Sequence, residues 1–179
     1  METKEKEEKR LEAAEFETMD LDGRKAWTNK AIKNHALGAM VIGLIPLPAV
    51  DFVALTSLQL RLLYKFSKFY NVKFIKGKGK NIIASMLGGY IPVSMAGPIA
   101  SLVKAIPIVG QTSGVLAMSS LAGATTYALG KVFVQHFESG GTLLDFDPAT
   151  LRDYFVEQFK EGGKVTEELK KGAPLKSTS

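Results

Sequence analysis

The side chains that could do chemistry are few and far apart in this chain of 179 residues. It has no cysteine and two distant histidines, His35 and His136, and Asp51 is the only acidic residue between Asp22 and Glu138. A hydrolase or transferase needs a nucleophile beside a base, paired carboxylates or a metal cluster. We therefore predict no catalytic, cofactor-binding or metal-binding residue, and a protein that is not an enzyme.

A basic segment is the next candidate for binding chemistry. Residues 71–80 read NVKFIKGKGK, but they lack the P-loop pattern, which needs two glycines with four residues between them, followed by Lys and then Ser or Thr. The segment directly precedes the most apolar part of the chain, where basic residues are typical of the cytoplasmic end of a membrane helix. We predict a membrane-surface basic loop formed by four lysines: Lys73, Lys76, Lys78 and Lys80.

The apolar part is Asn81–Gly130, which carries a single charge, on Lys104. This lysine divides it into two uncharged runs of about 23 and about 26 residues, and either run is long enough to cross a hydrocarbon core. We predict a helical hairpin whose turn is formed by three residues: Lys104, Pro107 and Gly110. Lysines flank both outer ends of the hairpin, so the positive-inside bias predicts that both termini lie in the cytoplasm.

A second arrangement of the same hairpin stays open. Small residues recur four apart, as in Ser119 and Gly123, which lets helix backbones approach closely. This spacing also suits a hairpin buried in a soluble core and covered by helices around Ile32, Leu62 and Phe155. Hydropathy does not separate a buried hairpin from a spanning one when proline and glycine are this frequent.

Amphipathic helices are predicted on both sides of the hairpin. A break at Asp22-Gly23 precedes a helix at about residues 25–44, and a second helix at about 52–70 carries an apolar stripe. Between them we predict a proline-Asp turn, with Asp51 as the N-cap of the second helix: Pro46, Pro48 and Asp51. After the hairpin, Asp147-Pro148 predicts a helix start, and Gly162-Gly163 predicts its end.

The predicted fold class is all-α, a compact helical domain with a central apolar helical hairpin, flanking amphipathic helices and a polar N-terminal arm. The expected organisation is a partly disordered arm at 1–22, one helical domain at 23–164, and a short charged helix with a disordered tail at 165–179. The net charge is +5, with lysines clustered beside the apolar part. This favours an anionic membrane surface or a protein as partner over nucleic acid, because no interleaved basic and aromatic motif is present.

Short motifs in a fixed order resemble one known family. Residues 45–51 (IPLPAVD), 57–60 (SLQL) and 69–72 (FYNV) resemble its proline-Asp turn, its glutamine-bearing helix and that helix's "Tyr-Gly-Val" end, with Asn71 where glycine is common. Residues 104–110 (KAIPIVG) resemble its "Lys-x-Ile-Pro-x-x-Gly" turn, and 125–130 (TTYALG) its "Thr-x-Ala-Leu-Gly" helix. Over roughly 31–164 the chain is thus similar to the YcjF-like uncharacterised domains, which also occur C-terminal to Era-like or dynamin-like GTPase domains.

Three functions stay open at this point. The resemblance implies a membrane-associated helical module at the cytoplasmic membrane, one that anchors or recruits a partner such as a GTPase acting in trans. The second is a cytoplasmic helical protein that buries the hairpin and binds a protein or an apolar ligand. The third is a homo-oligomeric channel or transporter subunit, motivated by broken helices and by Asp51. No cofactor is expected in any of them.

Overall fold

The computed structural model describes residues 18–44, 48–88 and 112–172. In these ranges the chain forms five α-helices and no strand, which confirms the all-α class. The helices are α1 (Leu21–Ile42), α2 (Pro48–Phe69), α3 (Lys76–Gly88), α4 (Thr112–Glu138) and α5 (Arg152–Gly172).

The middle of α4 is the centre of the core. Every residue from Ala122 to Gly130 is buried, and α4 contacts each of the other four helices. Ile32 of α1, Leu62 of α2 and Phe155 of α5 belong to the same hydrophobic cluster as the buried residues of α4. Residues 122–130 of the second apolar run are therefore in the interior of a helical bundle, in agreement with the second arrangement for this part of the run.

Helices α1 and α2 form an antiparallel hairpin. Trp27, near the start of α1, stacks on Phe69 at the end of α2, with ring centroids 4.0 Å apart. Further along α1, Gly38 faces Leu58 of α2. Successive contacts with α1 thus run backwards along α2, so the end of α1 and the start of α2 lie at the same end of the bundle.

Helix α4 runs antiparallel to both α1 and α5. Gly123 lies against Met40 of α1 and Thr166 of α5, and Gly130 lies against Ile32 of α1. A side chain at either glycine would meet these neighbours, so the small residues of α4 allow the close approach that their spacing predicted. The start of α4 therefore lies beside the end of α1 and the end of α5.

Helix α3 folds back along α2. Phe74, in the connecting loop, makes an edge contact with Tyr64, and Gly79 then faces Leu60 and Leu63. Asn71, which begins this connection, has a φ angle of 53°. Asparagine tolerates this left-handed conformation better than most residues, which explains why it can occupy a position where the similar domains commonly have glycine.

Two helix starts differ from the prediction. Asp20 is the N-cap of α1, and its Oδ1 accepts a hydrogen bond of 2.8 Å from the amide of Gly23. The predicted break at Asp22-Gly23 is therefore wrong, because these residues form the first turn of α1. Helix α2 begins at Pro48, so Asp51 lies inside its first turn and is not its N-cap. Proline is favourable at a first helical position, and a carboxylate in a first turn is favoured by the helix dipole.

The bounds of α5 differ most from the prediction. Asp147 accepts a hydrogen bond from the amide of Ala149, 2.9 Å away, and so forms a turn, while the helix begins five residues later at Arg152. Gly162 and Gly163 do not end α5, which continues to Gly172. The predicted boundary between residues 164 and 165 thus falls within one continuous helix, and Val165 next to it is buried.

Candidate functional site

Exposed apolar side chains concentrate at one end of the bundle. Nine large apolar residues are exposed in the described ranges, and six of them lie where α1 ends and where α2 and α4 begin. We call these six residues the apolar tip: Leu37, Val41, Leu44, Val53, Leu116 and Met118. A concentration of exposed apolar side chains of this kind marks a contact with a protein or a membrane.

Close backbone packing holds the helices of the apolar tip together. A Cβ atom on Gly43, just after α1, would lie 2.9 Å from the Cα atom of Ser119 in α4. The Ser119 hydroxyl donates a hydrogen bond of 2.8 Å to the carbonyl oxygen of Met40, one of the last carbonyls of α1. The end of α1 and the start of α4 therefore form a fixed unit that supports the exposed side chains.

The segment of residues 89–111 is joined to the bundle at the end that carries the apolar tip, because α3 runs back along α2 toward its start. It follows the end of α3 at Gly88 and precedes the start of α4 at Thr112. The predicted hairpin-turn residues, Lys104, Pro107 and Gly110, lie outside the described ranges, as does Pro46 of the predicted proline-Asp turn. Lys104 is the only charged residue of the segment, so the stretch that directly precedes α4 is nearly uncharged.

The helices that the structure describes do not include a membrane-spanning one. None of them combines the length and the low polarity needed to cross a bilayer. Of the two apolar runs, residues 81–88 form the end of α3 and residues 112–130 belong to α4, while 89–111 lie outside the described ranges.

Only one of the four predicted membrane-surface lysines lies in a loop. Lys73 is in the α2–α3 connection, and the other three lie in the first turns of α3: Lys76, Lys78 and Lys80. All four are exposed. The prediction of a loop through residue 80 is wrong because the glycines of the GKGK sequence are helical here. Gly79 faces Leu60 and Leu63, where it lets α3 pack closely on α2.

The two histidines do not come together. His35 Nδ1 lies 2.8 Å from the carbonyl oxygen of Ala31, and burial lowers the pKa of this histidine. His136 Nε2, at the other end of the bundle, lies 2.8 Å from the Thr142 carbonyl oxygen and 3.7 Å from Asp145 Oδ1. Across residues 18–44, 48–88 and 112–172, no three side chains of the His, Cys, Asp and Glu types could jointly hold a metal ion.

A buried glutamine links α2 to α4. Gln59 is 1% exposed, and its Nε2 donates a hydrogen bond of 3.3 Å to the Thr126 hydroxyl. Within the described chain its Oε1 atom has no hydrogen-bond partner. Gln59 and Thr126 both belong to the motifs quoted above, so these motifs meet in the core between two helices. This pair aligns α2 on α4.

The apolar tip was missed by the sequence reasoning, although a signal for part of it exists. Leu37, Val41 and Leu44 are spaced four and three residues apart, a spacing that predicts one face of a helix, and the first two lie on α1 while Leu44 lies two residues past its end. The buried face of α1 has the same spacing, through Ile32, Ala36 and other residues. The sequence does not say which of two apolar faces points outward, since that depends on where α2 and α4 pack.

Comparison with known proteins supports the family resemblance. No solved structure matches this chain. Magnetosome membrane protein 22 of Magnetospirillum gryphiswaldense is 35% identical over 154 residues, which cover 86% of this chain and 79% of that protein. The family model described as "Domain of unknown function (DUF697)" matches residues 9–161. The expectation of an uncharacterised helical domain family is thereby confirmed, and the chain belongs to the DUF697 domain family.

Proposed function

We propose that this protein is a membrane-associated helical module, which inserts its apolar tip and the adjoining residues 89–111 into a bilayer. The observation that carries the proposal is the coincidence of two features at one end of the bundle. Most exposed apolar side chains lie there, and the nearly uncharged segment starts and ends there. Scattered apolar residues need no explanation, whereas a concentrated group beside an apolar segment does.

The dimensions of the apolar tip fit a shallow insertion. Leu37 and Val41 lie on α1, and Leu44 follows two residues after its end, so the exposed apolar side at this end of α1 extends for about 10 Å. Interfacial protein segments bury their apolar faces roughly 5–10 Å into the boundary between headgroups and acyl chains. The apolar part of α1 therefore matches the depth that an interfacial contact requires.

A relative that is named as a membrane protein supports the same proposal. Magnetosome membrane protein 22 aligns with most of this chain, including both helices that flank residues 89–111. We infer a location at the cytoplasmic membrane with both termini in the cytoplasm. The far end of the bundle, where α1 and α5 begin, would then face away from the bilayer and recruit a partner. A GTPase in trans is the first partner to test, because similar domains occur beside GTPase domains.

A pair of exposed valines tests the insertion. Val41 and Val53 are 57% and 66% exposed, so Val41→Glu with Val53→Glu should leave the fold intact. Binding to phosphatidylcholine and phosphatidylglycerol vesicles, measured by co-sedimentation, should fall on the order of tenfold or more, because two apolar contacts become charged. The matched control is Leu21→Glu with Leu144→Glu, at the opposite end, where the side chains are 74% and 68% exposed. The control should bind as the wild type does.

Comparison of the two variants tests whether the apolar tip is the membrane contact. Both add the same negative charge, so a loss confined to the Val41 and Val53 variant identifies the apolar tip as the membrane contact. An equal loss in both would mean that net charge alone controls binding. Wild-type binding that neither variant weakens would remove the apolar tip from the proposal. Circular dichroism and thermal unfolding of all three proteins serve as the control for a folding defect.

The burial of α4 favours a second candidate function. Since residues 122–130 form the core, this stretch is not available to lipid in the described state. The second candidate is a helical protein whose apolar tip docks on another protein or on a second copy of the chain. Light scattering after size-exclusion chromatography would support it if the wild type failed to bind vesicles and formed an oligomer that Val41→Glu with Val53→Glu dissociated.

A further inference from the structure

We propose that a belt of basic side chains around the middle of the bundle binds anionic phospholipid headgroups while the apolar tip enters the bilayer. The belt consists of residues from four helices: Lys33, Arg61, Lys65, Lys80 and Lys131. This inference rests on the proposed function and adds to it the lipid class and the orientation of the bundle. It differs from a basic loop of consecutive residues, because the belt exists only in the folded bundle.

The α1–α2 hairpin places three members of the belt at one height. Gly38 of α1 faces Leu58 of α2, and the two helices are antiparallel. Lys33, five residues before Gly38, therefore lies level with the part of α2 between Arg61 and Lys65. His35 of α1 is close enough to Lys65 and Arg61 of α2 for both positive charges to oppose its protonation. Lys33 and Arg61 are exposed, as is Lys65.

Helices α4 and α3 add one member each. Lys131 Nζ donates a hydrogen bond of 2.7 Å to Asn29 Oδ1 of α1, and the charge of Lys33 is near enough to act on Lys131. Lys80 directly follows Gly79, which faces Leu60 and Leu63 of α2. Lys80 therefore stands at the height of Arg61, and the belt extends across four neighbouring helices.

The belt has little negative charge to balance it. No acidic residue occurs between Asp51 and Glu138, a stretch that contains all of α3 and most of α2 and α4. The ion pairs found in the described ranges involve His136, Lys164 and Lys170, and none of these is a belt residue. Glu138 and Glu161 are near enough to act on the charge of Lys131, which is half-buried. The four exposed members of the belt are thus the ones available to an external anion: Lys33, Arg61, Lys65 and Lys80.

The height of the belt above the apolar tip matches the structure of a bilayer surface. Lys33 lies eleven residues before Leu44 on the α1 side, a separation of about 16 Å along a helix. If the tip enters roughly 5–10 Å, the belt stands about 6–11 Å above the entry level. The headgroup layer of a bilayer is roughly 5–8 Å thick, and the Debye length adds about 8 Å at physiological ionic strength. The belt is then within electrostatic reach of the headgroups.

The ion pairs of α5 indicate which side of the bundle faces the bilayer. It carries the pairs Lys164–Glu161 and Lys170–Glu167, and Lys170 contacts Ser120 near the start of α4. Paired charges close to the level of the apolar tip would be costly to bury in hydrocarbon. We therefore place α1 and α2 toward the bilayer and α5 toward water.

Two double variants of equal charge test the belt. Lys33→Gln with Arg61→Gln removes two belt charges, whereas Lys25→Gln with Lys73→Gln removes two exposed charges at the far end. Binding is titrated on vesicles of phosphatidylcholine alone and on vesicles with about a third of phosphatidylglycerol. Each lost charge near an anionic surface should weaken binding about fivefold, so the belt variant should lose about 30-fold on anionic vesicles. The far-end variant should lose less than about threefold, because its charges lie more than one Debye length further away.

The outcomes separate this inference from the proposed function. Belt binding is supported if the belt variant loses affinity for anionic vesicles, shows a weaker salt dependence and keeps its affinity for phosphatidylcholine. An unchanged belt variant overturns the belt, and equal losses in both variants overturn its location. In either case the contribution of the apolar tip still stands on the Val41 and Val53 experiment. A wild type that binds neither vesicle, but binds an acidic protein through Lys33 and Arg61, rejects lipid as the partner.

Discussion

Gly162 of α5 lies so close to Ala124 of α4 that a Cβ atom on the glycine would stand 2.8 Å from the Ala124 carbonyl oxygen. Alanine is a better helix former than glycine by about 1 kcal/mol, so the exchange would be favourable in an isolated helix. Here the obstructing atom belongs to the backbone of a buried helix, and neither helix can shift cheaply. We expect Gly162→Ala to lower the free energy of unfolding by about 1–3 kcal/mol, measured by urea denaturation.

Gly77 of α3 is the matched control for this substitution. A Cβ atom there would meet no atom within 4 Å beyond the adjacent residues and the backbone of its own helix. Gly77→Ala should therefore raise the free energy of unfolding by several tenths to about 1 kcal/mol. If Gly162→Ala proved as stabilising as Gly77→Ala, the close contact between α4 and α5 would be wrong.

Gly162 also shows where the sequence misleads. The sequence predicts a helix end at Gly162-Gly163, because glycine is a poor helix former and often follows a helix end. The helix continues, since both positions are buried and the contact of Gly162 with α4 requires the absence of a side chain. Such a contact is made by residues far apart in the chain, so no local pattern distinguishes a stop from a close approach.

Local patterns were reliable where one face of a helix is simply buried. The stripe of α2 ends in Leu62, Phe66 and Phe69, which are all in the core, and the all-α class followed from such periodicity. The candidate site was harder to predict from the sequence. The apolar tip combines three helices and the basic belt combines four, so their composition depends on which helix ends meet. Only the lysines of residues 73–80 were identified in advance, and among them only Lys80 belongs to the belt.

Trp27 offers a test of orientation that needs no added label, since it is the only tryptophan in the chain. It stacks on Phe69 with ring planes 2° apart, and Lys65 Nζ lies 4.9 Å from its ring centroid. This position is at the far side of the belt from the apolar tip. We expect its fluorescence maximum to stay unchanged when the wild type binds vesicles, because the indole keeps its protein surroundings.

A relocated tryptophan provides the positive counterpart. In the variant Trp27→Phe with Val41→Trp, the indole occupies an exposed position of the apolar tip. Its emission should shift to shorter wavelength on vesicle binding, because the ring moves from water to the membrane interface. A shift at Trp27 combined with none at position 41 would reverse the proposed orientation.

His35 makes the stability of the bundle depend on pH. Burial lowers its pKa from the ordinary value of 6.5; the hydrogen bond with the Ala31 carbonyl opposes this, and the charges of Lys65 and Arg61 lower it further. As the pH falls below about 6.5, the unfolded chain therefore binds a proton before the folded chain does, and the free energy of unfolding decreases. We expect the wild type to lose more stability between pH 7 and pH 5 than His35→Gln, whose amide can still donate to Ala31 but does not titrate. Urea denaturation at a series of pH values measures both slopes. Parallel slopes would show that His35 titrates alike in both states, whereas a higher His35 pKa in Lys65→Gln, followed by NMR, would identify the lysine as one cause of the shift.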